Sequence, residues 1–450
     1  MPDGASADAP PDAAPALTLR FDRVAGSQAF DAIATLTGAL DAVTITVDRG
    51  TLGAPSTSGD DTRARITPSG TGHYTVTATA GSFVATRTAL VLGDVDDAWN
   101  QPEPVRGLAN TVGWEDGPSI SPDGQVLTLQ YVAVSISCLL GGDLSSPACK
   151  IVGPMAAPAR PNMPGANRVN ADGTYLNACP TAGIPTITAP VPPDSLYALQ
   201  RQPDGSFADP HAIYYDGIDG CVSAFGLQLV RRIAPQVSSF EAVYAFDDPS
   251  RSGVGPRLFR DALLDPTRDL VLGTFINAAG TLTLVDTSAS VALGDVDGVQ
   301  GNPNLFHQPD GTVVVFSDDE GGRKDLFVNT AATVAGPFAG QALIPPPVSA
   351  VGPQESQPFF DGHTLYFRRE LAVLATDWNG GAMDQAGSWT TPRTILGPGD
   401  ASETDAGTVP VVGEPSLTLD PSVAKEMYFV YARRVADGTL DLDVGMVPAR

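Results

Sequence analysis

The sequence predicts an all-β chain: a small β-sandwich followed by a six-bladed β-propeller, with five blades as the alternative count. Three observations predict it. First, a short motif recurs. Gly117-Pro118-Ser119-Ile120-Ser121-Pro122-Asp123-Gly124 runs into Val126-Leu127-Thr128-Leu129, and related copies stand at Asn302-Pro303 to Pro309-Asp310-Gly311, Gln357-Pro358 to Asp361-Gly362, and Glu414-Pro415 to Asp420. A Pro that opens a strand, a Pro-Asp-Gly turn and a second alternating strand make a tight hairpin, and self-similarity at a spacing of roughly 40–60 residues marks a blade array. Second, 47 Gly and 40 Pro in 450 residues punctuate the chain too often for long helices, while a hydrophobic content of 42% can fill large cores. Third, short runs alternate apolar and polar residues with the period of half-buried strands.

Taken in order, residues 1–16 form a Pro-Ala-Asp tract with little to bury, expected to be a disordered tether. Its composition is that of the stretch after a processed lipoprotein cysteine, so a mature form with an added Met1 and a lipid anchor is expected. Residues 17–93 carry alternating runs, among them Val43-Thr44-Ile45-Thr46-Val47 and His73-Tyr74-Thr75-Val76-Thr77, separated by Gly-rich turns, as in a small β-sandwich. Residues 94–450 form the propeller. Blades are expected to begin near Pro118, Cys221, Leu270, Pro303, Pro358 and Pro415. The last repeat is one strand short when the chain ends, and residues 99–108 read as the missing outer strand, which closes the ring and leaves no open edge. An insertion, 134–193, lies in the first blade and holds three of the four cysteines.

These residues carry a resemblance. Pro118 to Gly124 with Leu127-Thr128-Leu129, and Val315-Phe316-Ser317 through Gly321-Gly322-Arg323-Lys324-Asp325 to Val328, resemble the repeat of TolB-type (WD40-like) β-propellers over roughly residues 95–450. Gly72 to Thr79 resembles the penultimate strand of bacterial immunoglobulin-like domains. The propeller resemblance implies a secreted or periplasmic binding protein and, in a minority of members, a carbohydrate-active enzyme, including lyases of acidic oligosaccharides. The immunoglobulin-like resemblance implies a spacer.

A net charge of -25 and a pI near 4.3 argue against nucleic acid, since no basic surface is available to neutralise phosphates. No apolar run approaches the roughly 20 residues of a membrane span. Cys138, Cys149, Cys179 and Cys221 lack zinc-site spacing, so two disulfides are expected in an oxidising, extracytoplasmic compartment. Three pairings are open, and Cys138–Cys149 with Cys179–Cys221 closes the most local loop.

Chemistry is expected where inner strands begin, at one mouth of the central channel. Aligning the repeats on their Pro puts Glu115-Asp116-Gly117, Gln300-Gly301-Asn302, Glu355-Ser356-Gln357 and Val412-Gly413-Glu414 on that rim. Glu115, Asp116, Glu355 and Glu414 are the acid–base candidates, and Asn302 and Gln357 the neutral ligand-binding candidates. Arg231-Arg232, Arg368-Arg369 and Arg433-Arg434 end second strands, and Arg323-Lys324 occupies the equivalent hairpin. From these, Arg232, Arg323, Arg369 and Arg433 are the expected anion contacts, for a uronate or an acidic peptide terminus. The competing structural reading has the rim groups capping neighbouring amides and the arginines pairing between blades. Of the four His only His307 is expected near the rim. No cofactor is expected. Calcium is the one metal considered, on Asp94-Val95-Asp96-Asp97 and Asp295-Val296-Asp297, though both lack a full calcium-loop pattern. The reading is an exported or surface-tethered, monomeric binding propeller for a glycan or peptide ligand held in the funnel, favoured over an enzyme. The alternative is a polysaccharide lyase or glycoside hydrolase using the rim carboxylates.

Overall fold

A computed structural model describes residues 14–38, 42–111, 114–132, 195–212, 214–215, 224–234, 238–246, 269–278, 281–284, 291–292, 300–319, 324–333, 336–338, 341–399, 406–435 and 440–450. Among them there are strands and turns and no helix. The four cysteines, the insertion 134–193 and most of the tether lie outside the described residues. The chain divides into two compact units, Met1–Val91 and Leu92–Arg450.

The first unit is a two-sheet sandwich. One sheet orders Ala16–Arg23, Phe30–Thr37, Asp61–Thr67 and Thr51–Leu52, with Ser56–Ser58 also on Asp61–Thr67; the other orders Thr44–Val47, Gly72–Ala80 and Phe83–Val91. Period two is strictest in Gly72–Ala80, where alternate residues are buried from end to end. Those inward residues meet Phe21, Phe30 and Ile66 in one core, with Phe30 edge-on to Phe21 at 5.3 Å and to Tyr74 at 6.4 Å.

The second unit is a β-propeller whose described strands gather into five sheets. Blade 1 holds Trp114–Ile120, Val126–Val132, Ser195–Arg201 and Phe207–Ala212. Blade 2 holds Ala224–Ala234, Ser238–Phe246, Asp269–Ala278 and Thr281–Leu284, with two short additions. Blade 3 holds Gln300–His307, Val313–Asp319, Leu326–Ala331 and Ala342–Leu343. Blade 4 holds Glu355–Phe360, Thr364–Arg369, Ala372–Asp377 and Arg393–Gly397. Blade 5 holds Val411–Leu417, Glu426–Arg434 and Leu440–Pro448. The first strand of each sheet touches that of the next, and the first strand of blade 5 touches that of blade 1, so the inner strands form a ring. The sequence count of six differs from these five sheets because Ser238–Phe246 pairs along its whole length with Asp269–Ala278. The segment that reads as a new blade at Leu270 is therefore the third strand of the blade that begins at Ala224.

Turn chemistry sets the hairpins. In blades 1 and 3 the Gly of Pro-Asp-Gly is left-handed (Gly124 at φ 71°, Gly311 at φ 90°) and donates back to Ser121 O at 2.8 Å and Gln308 O at 2.9 Å. The turn Asp accepts from the residue two on, Asp123 from Gln125 N at 3.2 Å and Asp310 from Thr312 N at 2.9 Å.

Residues 93–110 run as a strap across three blades. Asp94–Val95 pairs with Arg393–Gly397 of blade 4, Glu103 and Pro104 pair with Met446 and Gly445 of blade 5, and Gly107 bridges to Phe207 of blade 1. Asn110 fastens the end of the strap: its amide donates to Val105 O and Val444 O, both at 2.9 Å, and its carbonyl accepts from Val444 N at 2.6 Å. Gly107 has to be glycine, since a Cβ there would stand 2.0 Å from Phe207 O.

Candidate ligand site at the mouth of the channel

In all five inner strands the pairing with the second strand slips at one equivalent place: Asp116/Ser119, Phe225/Gln228, Gly301/Asn304, Ser356/Phe359 and Gly413/Ser416. At four of these bulges the residue before the Pro is left-handed: Gly117 (φ 54°), Asn302 (φ 44°), Gln357 (φ 55°) and Glu414 (φ 55°). Holding a non-Gly residue there costs on the order of 1–3 kcal/mol, so neighbouring contacts must over-determine it. Together the bulges wall a central cavity of about 50 Å³, room for a few ordered waters but not for a sugar ring.

Two rings of hydrogen bonds fix this geometry. In the lower ring the residue two past the bulge accepts a backbone N–H of the next blade. Ser119 Oγ accepts from Leu229 N at 2.9 Å, Gln228 Oε1 from Leu305 N at 2.7 Å, Asn304 Oδ1 from Phe360 N at 2.9 Å, and Ser416 Oγ from Ile120 N at 3.0 Å. Phe359 takes the fifth place and offers the cavity an apolar wall. In the upper ring Asp318 Oδ2 accepts from Gln357 N at 2.8 Å and from Asn302 Nδ2 at 2.9 Å. Gln357 Oε1 accepts from Glu414 N at 3.1 Å while its Nε2 donates to Glu414 Oε1, and Glu414 Oε2 accepts from Gly117 N at 2.5 Å. Glu414 also hydrogen-bonds Asp116; burial first, and then the Asp116 charge, push the Glu414 carboxyl well above the usual carboxylate range.

The other sequence candidates sit behind this rim. Glu115 is fully buried; Oε1 accepts from Thr111 N at 3.1 Å and from Thr111 Oγ1 at 2.5 Å, while Oε2 is buried with no hydrogen-bond partner among the described residues. Burial, reinforced by the Asp443 and Asp441 charges, raises Glu115 to about 9. Burial and the Asp443 charge likewise raise Asp441 to about 7. Arg433 answers both aspartates, Nη2 to Asp441 at 3.0 Å and Nε to Asp443 at 3.1 Å. Glu355 is buried beside Arg369, whose Nε lies 2.8 Å from Oε1, and burial outweighs the guanidinium so that its carboxyl is also raised. Arg369 Nη2 donates to Pro347 O at 3.0 Å and Val348 O at 2.5 Å.

The structure thus brings Asp116, Asn302, Gln357 and Glu414 to one mouth, spends Gln357 and Glu414 on inter-blade bonds, and ties Asn302 to Asp318 within blade 3. It turns Arg369 and Arg433 into structural pairs, because a guanidinium half-buried at a strand end needs a carboxylate partner. The side chains of Arg232 and Arg323 lie outside the described residues. His307 ends its strand beside the Pro-Asp-Gly turn, at the opposite end from the rim. Trp389 is buried against Phe316 and Phe360 and donates to Met383 O at 2.8 Å. Sequence reasoning missed Asp318, Asp441 and Asp443, which lie on second and third strands and carry no repeat signature. Among the described residues no group of three or more His, Cys, Asp or Glu side chains is arranged to hold a metal.

No family model matches the chain, and no curated protein matches it. Among solved structures it is similar to the K499G mutant of NanB sialidase from Streptococcus pneumoniae, at 9% identity over 97% of this chain and 68% of that one, with a TM-score of 0.36. A subtype N11 neuraminidase-like protein of A/flat-faced bat/Peru/033/2010 is similar at 10% identity over 80% of this chain and 97% of that one, with a TM-score of 0.38. Xylan beta-1,4-xylosidase from Bacillus halodurans C-125 is similar at 10% identity over 96% of this chain and 52% of that one, with a TM-score of 0.30.

Proposed function

We propose that the chain is an exported glycan-binding propeller whose ligand lies across the channel mouth, over the Asp116–Glu414 pair. The carrying observation is that pair. Glu414, held against the backbone N–H that follows Asp116 and raised well above the usual carboxylate range by burial and the Asp116 charge, sets a carboxyl donor beside carboxylate acceptors, which is what sugar hydroxyls need. The cavity beneath is too small to admit a sugar, so the ligand rests on the rim. Arg369 and Arg433 are neutralised by Glu355, Asp441 and Asp443, which removes the support for an anionic funnel, and the net charge of -25 opposes polyanions. In this reading the repeat is TolB-type, the first unit is an immunoglobulin-like spacer, and the cysteines are paired in an oxidising compartment. The test is a glycan array with the full chain and its Asp116→Asn variant. Binding by the wild type that is lost in the variant, at an unchanged melting temperature, is the expected result; no retained glycan refutes the reading.

Glycoside hydrolysis is the second reading, favoured by the raised Glu414 carboxyl as a proton donor at neutral pH. Hydrolysis also needs a second carboxyl within roughly 10 Å of the first, and among the acid–base candidates at this mouth Asp116 stands beside Glu414. Release of reducing ends by the wild type, abolished in Glu414→Gln with binding retained, would establish it.

A further inference from the structure

Resting on that reading, we infer that Arg368 is the ligand-contacting cation of the mouth, acting beside the Asp116–Glu414 pair to grip adjacent hydroxyls of a neutral sugar. The quasi-equivalence of the blades carries the inference. Arg368 pairs with Ser356, the residue before the blade 4 bulge, as Asp318 pairs with Gly301, the residue before the blade 3 bulge. Asp318 uses this position to accept the bulge N–H of the next blade, Gln357 N at 2.8 Å. An arginine at the same position has no acceptor to offer. The corresponding N–H, Glu414 N, is accepted instead by Gln357 Oε1, so that donor is satisfied without Arg368.

The side chain nevertheless follows the path its position dictates, across to blade 5. A Cβ on Gly413 would meet Arg368 Cδ at 2.9 Å, so glycine at 413 is what lets the stem lie there, one residue from Glu414. The guanidinium lies within electrostatic reach of the Glu414 carboxyl. Its Nε donates to Glu370 O at 2.7 Å, which anchors the fork, and neither Nη has a hydrogen-bond partner among the described residues. The side chain is partly exposed. Arg369 next door, by contrast, spends Nε on Glu355 and Nη2 on Pro347 O and Val348 O.

The charges decide the ligand class. The Arg368 guanidinium already has carboxyl partners in Glu414 and its neighbour Asp116, and a ligand carboxylate would add a further negative charge within a chain of net charge -25. Adjacent hydroxyls fit without adding charge: their oxygens accept from the Nη fork while their O–H groups donate to the carboxyls.

The experiment is affinity electrophoresis of the full chain in gels containing arabinoxylan, galactan, mannan or polygalacturonate, with melting temperatures measured in parallel. Expected is retardation of the wild type by a neutral polymer, weakened about ten- to hundred-fold in Arg368→Ala and partly restored in Arg368→Lys, with melting temperatures unchanged. Equal retardation of wild type and Arg368→Ala overturns the inference and leaves the binding reading standing. A lowered melting temperature in Arg368→Ala overturns it by showing a structural role, and preference for polygalacturonate overturns the charge argument. A wild type retarded by none of the four polymers removes the binding reading and this inference together.

Discussion

Glu115 makes the stability of the propeller depend on pH in a direction that can be worked out. Its carboxyl is fully buried, with one oxygen bonded to Thr111 and the other lacking a partner among the described residues, and its folded value is raised from 4.5 to about 9. A raised carboxyl means that the fold holds a proton which the unfolded chain releases. The stabilisation is complete below pH 4.5 and is lost as pH rises to about 9, at about 1.4 kcal/mol per pH unit. At pH 7 that loss is about 3 kcal/mol. Asp441, raised from 3.8 to about 7, adds a slope of the same sign over its own window. Glu115→Gln removes the Glu115 share. Its Oε1 keeps the Thr111 bonds, while its amide nitrogen replaces the partnerless oxygen at a cost of about 1–3 kcal/mol that does not vary with pH. The variant should therefore be the less stable protein at pH 5, gain on the wild type by about 1.4 kcal/mol per pH unit, and be the more stable one at pH 8. All four Trp lie beyond residue 91, so urea unfolding followed by Trp fluorescence reports the propeller alone. A difference between variant and wild type that stays flat from pH 5 to pH 8 would refute the reasoning.

Three further outcomes are expected. Asn304→Ala and Gln228→Ala each strip the acceptor from a buried N–H, Phe360 N and Leu305 N, and should lower urea-unfolding stability by about 1–3 kcal/mol. Deleting residues 92–110 should abolish cooperative unfolding of the propeller, because blade 5 loses its outer strand and three blades lose a shared strap, whereas a chain lacking residues 1–91 should keep its Trp-reported transition; circular dichroism and fluorescence decide both. Mass spectrometry of unreduced protein after alkylation should find no modified Cys138, Cys149, Cys179 or Cys221, and four labelled thiols would sink the disulfide expectation.

How much of this was legible in the sequence follows from which signals are local. Pro-Asp-Gly turns are, because each needs only four residues and a glycine free to adopt positive φ. The same signal sits at Gln202-Pro203-Asp204-Gly205, where Gly205 N donates to Gln202 O at 2.8 Å, and it went unused because it joins third and fourth strands rather than first and second. The rim register was also legible, since Pro118, Pro303, Pro358 and Pro415 directly follow the bulge residues. Blade order within 224–284 was not: Asp269–Ala278 is as apolar as a first strand, and only its ladder with Ser238–Phe246 shows it to be the third. The paired arginines were visible as a recurrence, but choosing between Arg368 and Arg369 needs the register, because neighbouring residues of a strand face opposite sides. Glu355 opposite Arg369 and Ser356 opposite Arg368 decide it, and no pattern in the sequence alone gives that pairing.

The acidic and amide character of the rim has a structural cause that separates fold from function. A bulge in each inner strand frees a backbone N–H at the axis, and each freed donor needs an acceptor from the blade beside it. Asp318, Gln357 and Glu414 supply them in turn, so carboxylates and amides at this level would be required of the ring even if it bound nothing. What that requirement does not explain is the second carboxyl at Asp116, set beside Glu414, and the arginine at 368, in the position where blade 3 holds the acceptor Asp318. Neither accepts one of the three bulge N–H groups that Asp318, Gln357 and Glu414 take. Substitutions at 318 and 357 should therefore read out first as stability, and those at 116 and 368 first as ligand capture. The opposite order at either pair would mean that the division between scaffold and site runs elsewhere.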